Sequence, residues 1–174
     1  KMINFVKKDT ILHETLIIYD SKNSDKANHL KSAFPSATLL TPNKNKYGEE
    51  QFYLMLKDVE AVLGEGRTFV FLETSNEGFV SNVTSMLNAM NGVSVVKATK
   101  GVTDTKIERD ITLMTTFKNR AFEGVNISNY DLSNLNFQFP SVNFDSQNLD
   151  SFGSLYLKQF GIFPTKYAIR GFDL

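Results

Sequence analysis

Short apolar runs and amphipathic stretches alternate along most of this chain. The run "ETLIIYD" (14–20) is rich in β-branched residues and ends in a polar turn, which is typical of a buried strand. The run "RTFVFLE" (67–73) has the same character and a continuous apolar centre. On these grounds strands are predicted over 14–20, 36–42, 67–73, 93–99 and 124–130.

The stretches between these runs carry apolar residues at helical spacing. The clearest is "EEQFYLMLKDVEAVL", which opens with acidic residues, as the helix dipole prefers, and is followed by Gly64 as a C-cap glycine. Its apolar face consists of Phe52, Leu56, Val59 and Leu63. Helices are predicted over 1–8, 21–34, 49–63, 76–90, 105–119 and 146–161.

Alternation of apolar strands with helices predicts the fold class. Strands that are apolar throughout are typical of a parallel sheet whose two faces are both covered. We therefore predict an α/β, doubly wound lobe with a mainly parallel sheet and helices on both faces. The pattern changes after Tyr130, where 136–145 alternates aromatic and polar residues but contains Pro140, which bars a central strand position. The helix predicted next ends at Gly161.

Length, charge and cysteine content narrow the class of protein. A chain of 174 residues suits one domain with its own core. Lys+Arg and Asp+Glu are both 19, and this lack of a basic excess argues against nucleic-acid binding. No apolar run is long enough to span a bilayer, and the first residues do not form a signal peptide. The absence of Cys excludes disulfides, thiolate metal sites and cysteine nucleophiles.

Candidate binding residues are sought in the loops that follow the predicted strands. In open parallel sheets, ligands bind beyond the carboxyl ends of the strands. The loops that meet this condition lie at 20–24, 73–77, 99–101 and 128–131. Glu73 has the chemistry of a general base, but a lone carboxylate at this position is more often a structural acid near a helix start.

No catalytic constellation emerges from these loops. Asp20 stands alone where a phosphoryl-accepting receiver domain needs several acids, and the glycines of "GEGRTF" precede a strand instead of joining a strand to a helix. His13 and His29 have no second ligand nearby in sequence, and no serine lies in a nucleophile elbow. We therefore predict a protein that is not an enzyme and has no metal and no cofactor.

The C-terminal segment carries a resemblance to a known family. The segment "PSVNFDSQNLDSFGSLYLKQFGIFPTKYAIRGFDL" resembles a recurring part of type I periplasmic binding proteins, which include the Leu/Ile/Val-binding proteins and receptor ligand-binding regions. The residues that fit the pattern are Phe152, Tyr156, Phe160, Gly161, Pro164, Tyr167, Ala168, Gly171, Phe172 and Asp173. The strand–helix units at 14–34 and 73–96 are also similar to those of the family, particularly to bacterial envelope proteins that carry LysM repeats.

This resemblance implies a particular domain organisation. Residues 1–174 would be a single α/β lobe of a two-lobed clamp, and the helical segment 145–174 would return toward a second lobe outside this sequence. The apolar residues of "PTKYAIRGFDL" would then pack on that second lobe. Proteins of this kind close on a ligand by hinge motion and perform no chemistry.

The resemblance also implies ligand residues, partners and a location. Contacts in the family come from strand-end loops, which places Ser75, Asn76 and Tyr130 first and Asp20 and Thr99 behind them, with Glu73 as a partner for a ligand amine. The expected partner is a small molecule such as an amino acid, or a peptidoglycan-linked molecule, in the periplasm or cell envelope. The alternative is a protein-interaction scaffold that kept the fold and lost the ligand.

Overall fold

A computed structural model describes residues 3, 6–7, 13–97, 105–140 and 151–161. Its strands are β1 (Glu14–Tyr19), β2 (Thr38–Leu40), β3 (Arg67–Glu73), β4 (Ser94–Lys97), β5 (Thr105–Glu108) and β6 (Asp110–Met114). Its helices are α1 (Ser24–Ala33), α2 (Leu56–Glu60), α3 (Glu77–Met90), α4 (Asn129–Asn134) and α5 (Ser151–Phe160). Short 3₁₀ turns lie at Ser21–Asn23 and Arg120–Phe122. Thr99 and the segment 164–174 lie outside the described residues.

The central sheet has four parallel strands in the order β2-β1-β3-β6. The register places Leu16 beside Val70 and Val70 beside Leu113, so the apolar centres of three strands lie side by side. Parallel strands require crossover connections, and α1 and α3 supply them after β1 and β3. The predicted α/β fold with a parallel sheet is confirmed.

Strand alternation divides the core into two layers. On β3, Val70 and Leu72 face a cluster that includes the apolar side of α3, together with residues of α2 and α4. Phe69 and Phe71 face the opposite side, where they pack with α1. Because successive strand residues point to opposite faces, a strand that is apolar throughout must be covered on both. The sheet therefore lies between two helical layers, as predicted.

Helices α1 and α3 begin where the sequence indicates. The prediction over 76–90 is confirmed, and the side chain of Asn76 caps α3 by accepting a hydrogen bond of 2.9 Å from the Phe79 amide. Helix α1 confirms the prediction over 21–34, with Asn23 at its N-cap position. The Asn23 side chain does not cap the helix, because it is used in the network at the end of β1 that is described below.

The helix predicted over 105–119 is wrong. That segment forms β5 and β6 instead, and β6 is a strand of the central sheet. Ile111 and Leu113 alternate with Thr112, so the segment carries a period of two that competes with the helical spacing. Strand β4 exists as predicted, but it pairs antiparallel with β5 in a separate two-stranded sheet.

The strand predicted over 124–130 is also wrong. A turn occupies its first part, and α4 then begins, with the Ser128 side chain accepting a hydrogen bond from the Asp131 amide at 3.2 Å. The chain reaches the edge of the sheet later, where Gln138 forms a parallel bridge with Met114 of β6. Pro140 follows two residues later, which agrees with the prediction that this segment does not form a central strand.

The helix predicted over 49–63 is reduced to α2. The residues before it are irregular, with Phe52 at φ +48°, and the Leu54 amide donates to the Asn82 side chain of α3 at 2.8 Å. The prediction of Gly64 as a C-cap glycine is wrong, since α2 ends at Glu60. Gly64 instead makes room for the Glu14 carboxylate, which occupies the space of a β-carbon at that position.

The chain divides into two compact units, Lys1–Pro140 and Ser141–Leu174. In the second unit α5 confirms the helix predicted over 146–161 from residue 151 onward, and the centres of its Tyr156 and Phe160 rings lie 4.5 Å apart. Gly161 follows α5 with φ +68°, the left-handed conformation of a C-cap glycine. None of the helices in the described part of the chain is long and apolar enough to cross a membrane.

Candidate functional site

The strand order creates a crevice at the carboxyl edge of the sheet. From β1 the chain crosses to β2 on one side, whereas β3 lies on the other side of β1. Such a reversal of direction is where ligands bind in doubly wound folds. Tyr19 and Glu73 are register partners at this edge, so the loops after β1 and β3 begin side by side.

Glu73 lies at this edge but is withdrawn from solvent. Its side chain is 1% exposed. The carboxylate accepts hydrogen bonds from the Thr116 amide at 2.5 Å and from the Thr116 hydroxyl at 2.9 Å. The Thr115 hydroxyl lies at 3.5 Å and the Lys26 ammonium at 3.9 Å. Glu73 therefore ties the end of β3 to the loop after β6.

Burial raises the pKa of Glu73 above its ordinary value of 4.5. Removal from water penalises the charged form, and the hydrogen bonds of Thr116 and the charge of Lys26 offset only part of that penalty. At pH values between 4.5 and the raised pKa, the Glu73 carboxyl keeps its proton in the folded state and has lost it in the unfolded state. Stability therefore falls as the pH rises from about 4.5 through the folded-state pKa.

This linkage predicts a pH-dependent difference between the native chain and Glu73→Gln. The free energy of unfolding of the native chain should decline relative to that of Glu73→Gln as the pH is raised from 4 to 7, because glutamine does not titrate. Urea titrations at several pH values measure the difference. A difference that is flat with pH, or that changes in the opposite direction, would contradict the inferred direction of the pKa shift.

Asp20 forms the second buried network of the edge. Its side chain accepts hydrogen bonds from the Thr74 hydroxyl at 2.5 Å and from the Asn23 side chain at 2.8 Å. Asp20 is 2% exposed and Asn23 is 6% exposed. The Asn119 side chain donates to the Thr74 carbonyl at 2.8 Å, which adds the loop after β6. The three loops are thus joined by side chains that are buried or half-buried.

The accessible part of the edge is formed by other residues. The Lys26 side chain is 41% exposed, and its ammonium donates to the Asn23 side-chain oxygen at 2.9 Å. The same ammonium lies 5.9 Å from the centre of the Phe117 ring, which is 62% exposed. Ser75 is also exposed, in the loop after β3. A cation, an aromatic ring and a hydroxyl are therefore available to a ligand.

The site residues predicted from the sequence have different roles in the structure. Asp20, Glu73, Ser75 and Asn76 all lie in the two loops at the crevice, but Asp20 and Glu73 are buried and Asn76 caps α3. Tyr130 does not follow a strand, because the strand predicted before it is absent and the residue lies on α4 with 74% exposure. Thr99 lies outside the described residues.

Several residues of the edge were missed by sequence reasoning. Thr115 and Thr116 follow β6, but the helix predicted over 105–119 placed them inside a helix. Lys26 was not among the candidates, because it lies within the helix predicted over 21–34 and not directly after a strand. Correct assignment of β6 as a strand would have identified the threonine pair, since residues that follow strands converge at one edge of a parallel sheet.

The chemistry of the edge is that of hydrogen bonding. Within the described ranges, no group of three His, Cys, Asp or Glu side chains is placed to hold a metal ion. Asp20 accepts hydrogen bonds from two side chains, and Glu73 accepts from side chains and from one backbone amide. Both carboxylates are buried, so little of either is accessible to a ligand. Comparison with protein-family models, curated proteins and solved structures finds no match to this chain.

Proposed function

We propose that this chain is a non-catalytic ligand-binding domain whose ligand lies at the carboxyl edge of the parallel sheet. The observation that carries the proposal is the exposed pair of Lys26 and Phe117, 5.9 Å apart at the crevice, with the exposed Ser75 in the loop after β3. Loops joined by buried polar networks hold these groups in a fixed arrangement, as a binding site requires. The contacts expected for the ligand are hydrogen bonds from Ser75 and Lys26 and packing on Phe117.

The same networks support a role without catalysis. A general base must reach the substrate within hydrogen-bonding distance. Glu73 is nearly inaccessible and is held by Thr116, so its carboxylate faces the protein. Asp20 is held in the same way by Thr74 and Asn23. Both carboxylates thus act as part of the frame.

The finer assignment rests on the resemblance stated above. A lobe of the type I periplasmic binding protein kind, in a bacterial cell envelope and associated with LysM repeats, is supported by the residue pattern at 152–173 and agrees with the parallel sheet. The ligand classes to test are therefore amino acids, short peptides and peptidoglycan fragments.

A thermal-shift panel with these three classes tests the proposal. A ligand at about 100 times its dissociation constant adds roughly 2.7 kcal/mol to the stability of the folded state. We expect one class to raise Tm, and we expect Lys26→Met to reduce that shift. Lys22→Met is the matched control, because Lys22 is exposed on the preceding 3₁₀ turn and its replacement removes the same charge.

An alternative function, a protein-interaction scaffold, is favoured by one specific observation. Asp20 and Glu73 are engaged within the protein, so the most polar side chains of the edge contribute little to an open cleft. A panel in which none of the three classes raises Tm supports the scaffold. If Lys22→Met and Lys26→Met reduce the ligand-induced rise in Tm equally, the reduction reflects the loss of a positive charge in general, and the ligand does not contact Lys26.

A further inference from the structure

A hairpin arm follows β2. We define the arm as residues 43–51, in which the Gln51 amide donates to the Asn43 carbonyl at 2.8 Å and the Asn45 amide donates to the Glu49 carbonyl at 2.9 Å. Lys44 and Glu50 form an antiparallel bridge. The arm therefore has a regular backbone of its own.

The tip of the arm is also well organised. The Asn45 side-chain oxygen accepts hydrogen bonds from the amides of Tyr47 at 2.9 Å and Glu49 at 3.0 Å. Gly48 has φ +83°, a conformation that glycine adopts without strain. Tyr47 is 75% exposed, so the tip is directed toward solvent. The arm is a preformed unit with an accessible tip.

One side chain fastens this arm to the carboxyl edge of the sheet. The Ser21 amide donates to both oxygens of the Glu50 carboxylate, at 2.9 Å and 3.2 Å. The Ser21 hydroxyl donates to the same carboxylate at 2.9 Å. Ser21 directly follows Asp20 at the end of β1. Among the described residues, these are the hydrogen bonds that join the arm to the loop of the crevice.

We propose that the arm is a strap that closes over the carboxyl end of β1 and is latched there by Glu50. Hydrogen bonds to a carboxylate are stronger than neutral ones, so one side chain is sufficient to hold a preformed arm. The arm joins the rest of the protein at 41–42 and 52–53, because Leu54 is buried in the core and its amide is bonded to α3. Rotation about these segments moves the arm as a unit: the hydrogen bonds within the arm are kept, and the one that its first amide donates to the Tyr53 carbonyl is lost.

Opening of the strap exposes two hydrogen-bond donors of Ser21 to solvent. With the latch closed, the Ser21 amide and hydroxyl both donate to Glu50 and are not available to another molecule. With the latch open, both donors are free beside Lys22 and Lys26. The strap is thus an autoinhibitory contact at the β1 loop. It is a property of the fold and stands whether or not the proposed ligand-binding function is correct.

The test compares Glu50→Ala with Glu49→Ala. Both variants remove one carboxylate from neighbouring positions, but the Glu49 carboxylate bonds to Asn45 inside the arm. A nitroxide on Tyr47→Cys reports the position of the arm, and the native chain has no Cys that would be labelled as well. Paramagnetic broadening of the Ser21–Asn23 amides is measured by NMR, together with hydrogen exchange of the Ser21 amide.

We expect Glu50→Ala to increase the exchange rate of the Ser21 amide about tenfold, equivalent to roughly 1.4 kcal/mol. Broadening of the Ser21–Asn23 amides should fall, because the label moves away, while the amide of Gln51 keeps its protection. Glu49→Ala should leave both readouts near their native values. Unchanged signals from β1 and β3 show that the fold is intact.

Two results would overturn the strap. Faster exchange at Ser21 with unchanged broadening means that Glu50 only caps the turn and that other contacts hold the arm in place. An equal fall in broadening for Glu49→Ala means that the arm responds to any loss of charge and has no latch. Glu50→Gln, which keeps the length and one acceptor oxygen, should give values between those of the native chain and Glu50→Ala.

Discussion

Replacing Glu73 by alanine is expected to lower the free energy of unfolding by about 4 kcal/mol. The change leaves the amide and the hydroxyl of Thr116 without their acceptor, at a strand end where the Glu73 side chain itself is 1% exposed. It also removes the buried carboxylate that faces Lys26 and creates a small cavity. Few single substitutions at a strand end have so large an effect.

Chemical denaturation with urea measures this loss, and two variants calibrate it. Glu73→Gln keeps an oxygen that accepts from the Thr116 amide and should cost about 1 kcal/mol. Glu77→Ala removes a carboxylate on the first turn of α3 whose described partner is the exposed Asn126, and should cost about 0.5 kcal/mol. A cost for Glu73→Ala no greater than that of Glu77→Ala would mean that the network does not hold Glu73. The carboxylate would then be available to a ligand amine.

The parts of the fold that were predicted correctly are those in which one pattern dominates. β1 and β3 each have a continuous apolar centre, and such runs suit strands covered on both faces. Helix α3 combines a regular apolar face with a capping Asn76, so local and tertiary preferences agree. For these elements the sequence carries one signal, and the structure follows it.

The errors arise where two periods fit the same residues. In the segment of β6, Ile111 and Met114 suit a helix, while Ile111 and Leu113 suit a strand. Pairing with β3 decides between them, and that pairing joins residues more than forty positions apart, such as Val70 and Leu113. A contact of this kind is invisible to a local pattern. The error then hid Thr115 and Thr116, which are partners of Glu73.

The candidate site was therefore only partly predictable. Ser75 and the carboxylates were found, because a strand end is visible as the point where an apolar run stops. The burial of the two carboxylates was not predicted, since it depends on residues that lie far away in the sequence and that the fold brings to them. The sequence indicated where polar groups gather. The structure shows which of them face the protein and which face solvent.

The second large effect is expected for Asp20→Ala, at about 3 kcal/mol of lost stability. Two buried donors, the Thr74 hydroxyl and the Asn23 amide group, lose their acceptor. Neither has room to turn toward water, because Thr74 is 2% exposed and Asn23 is 6% exposed. Thermal unfolding should show a fall in Tm of roughly 6–12 °C for a chain of this size.

Ser75→Ala is the matched comparison for Asp20→Ala, because the two residues were predicted to share one ligand and now have different roles. Ser75 is exposed, so its replacement should change stability by less than about 0.5 kcal/mol while weakening ligand binding. A stable Asp20→Ala variant with lost ligand binding would reverse this division and return Asp20 to the ligand. If Asp20→Ala is destabilised and Ser75→Ala is not, the crevice consists of a rigid buried frame and a separate set of exposed contacts. Ligand specificity would then be altered through the exposed set alone.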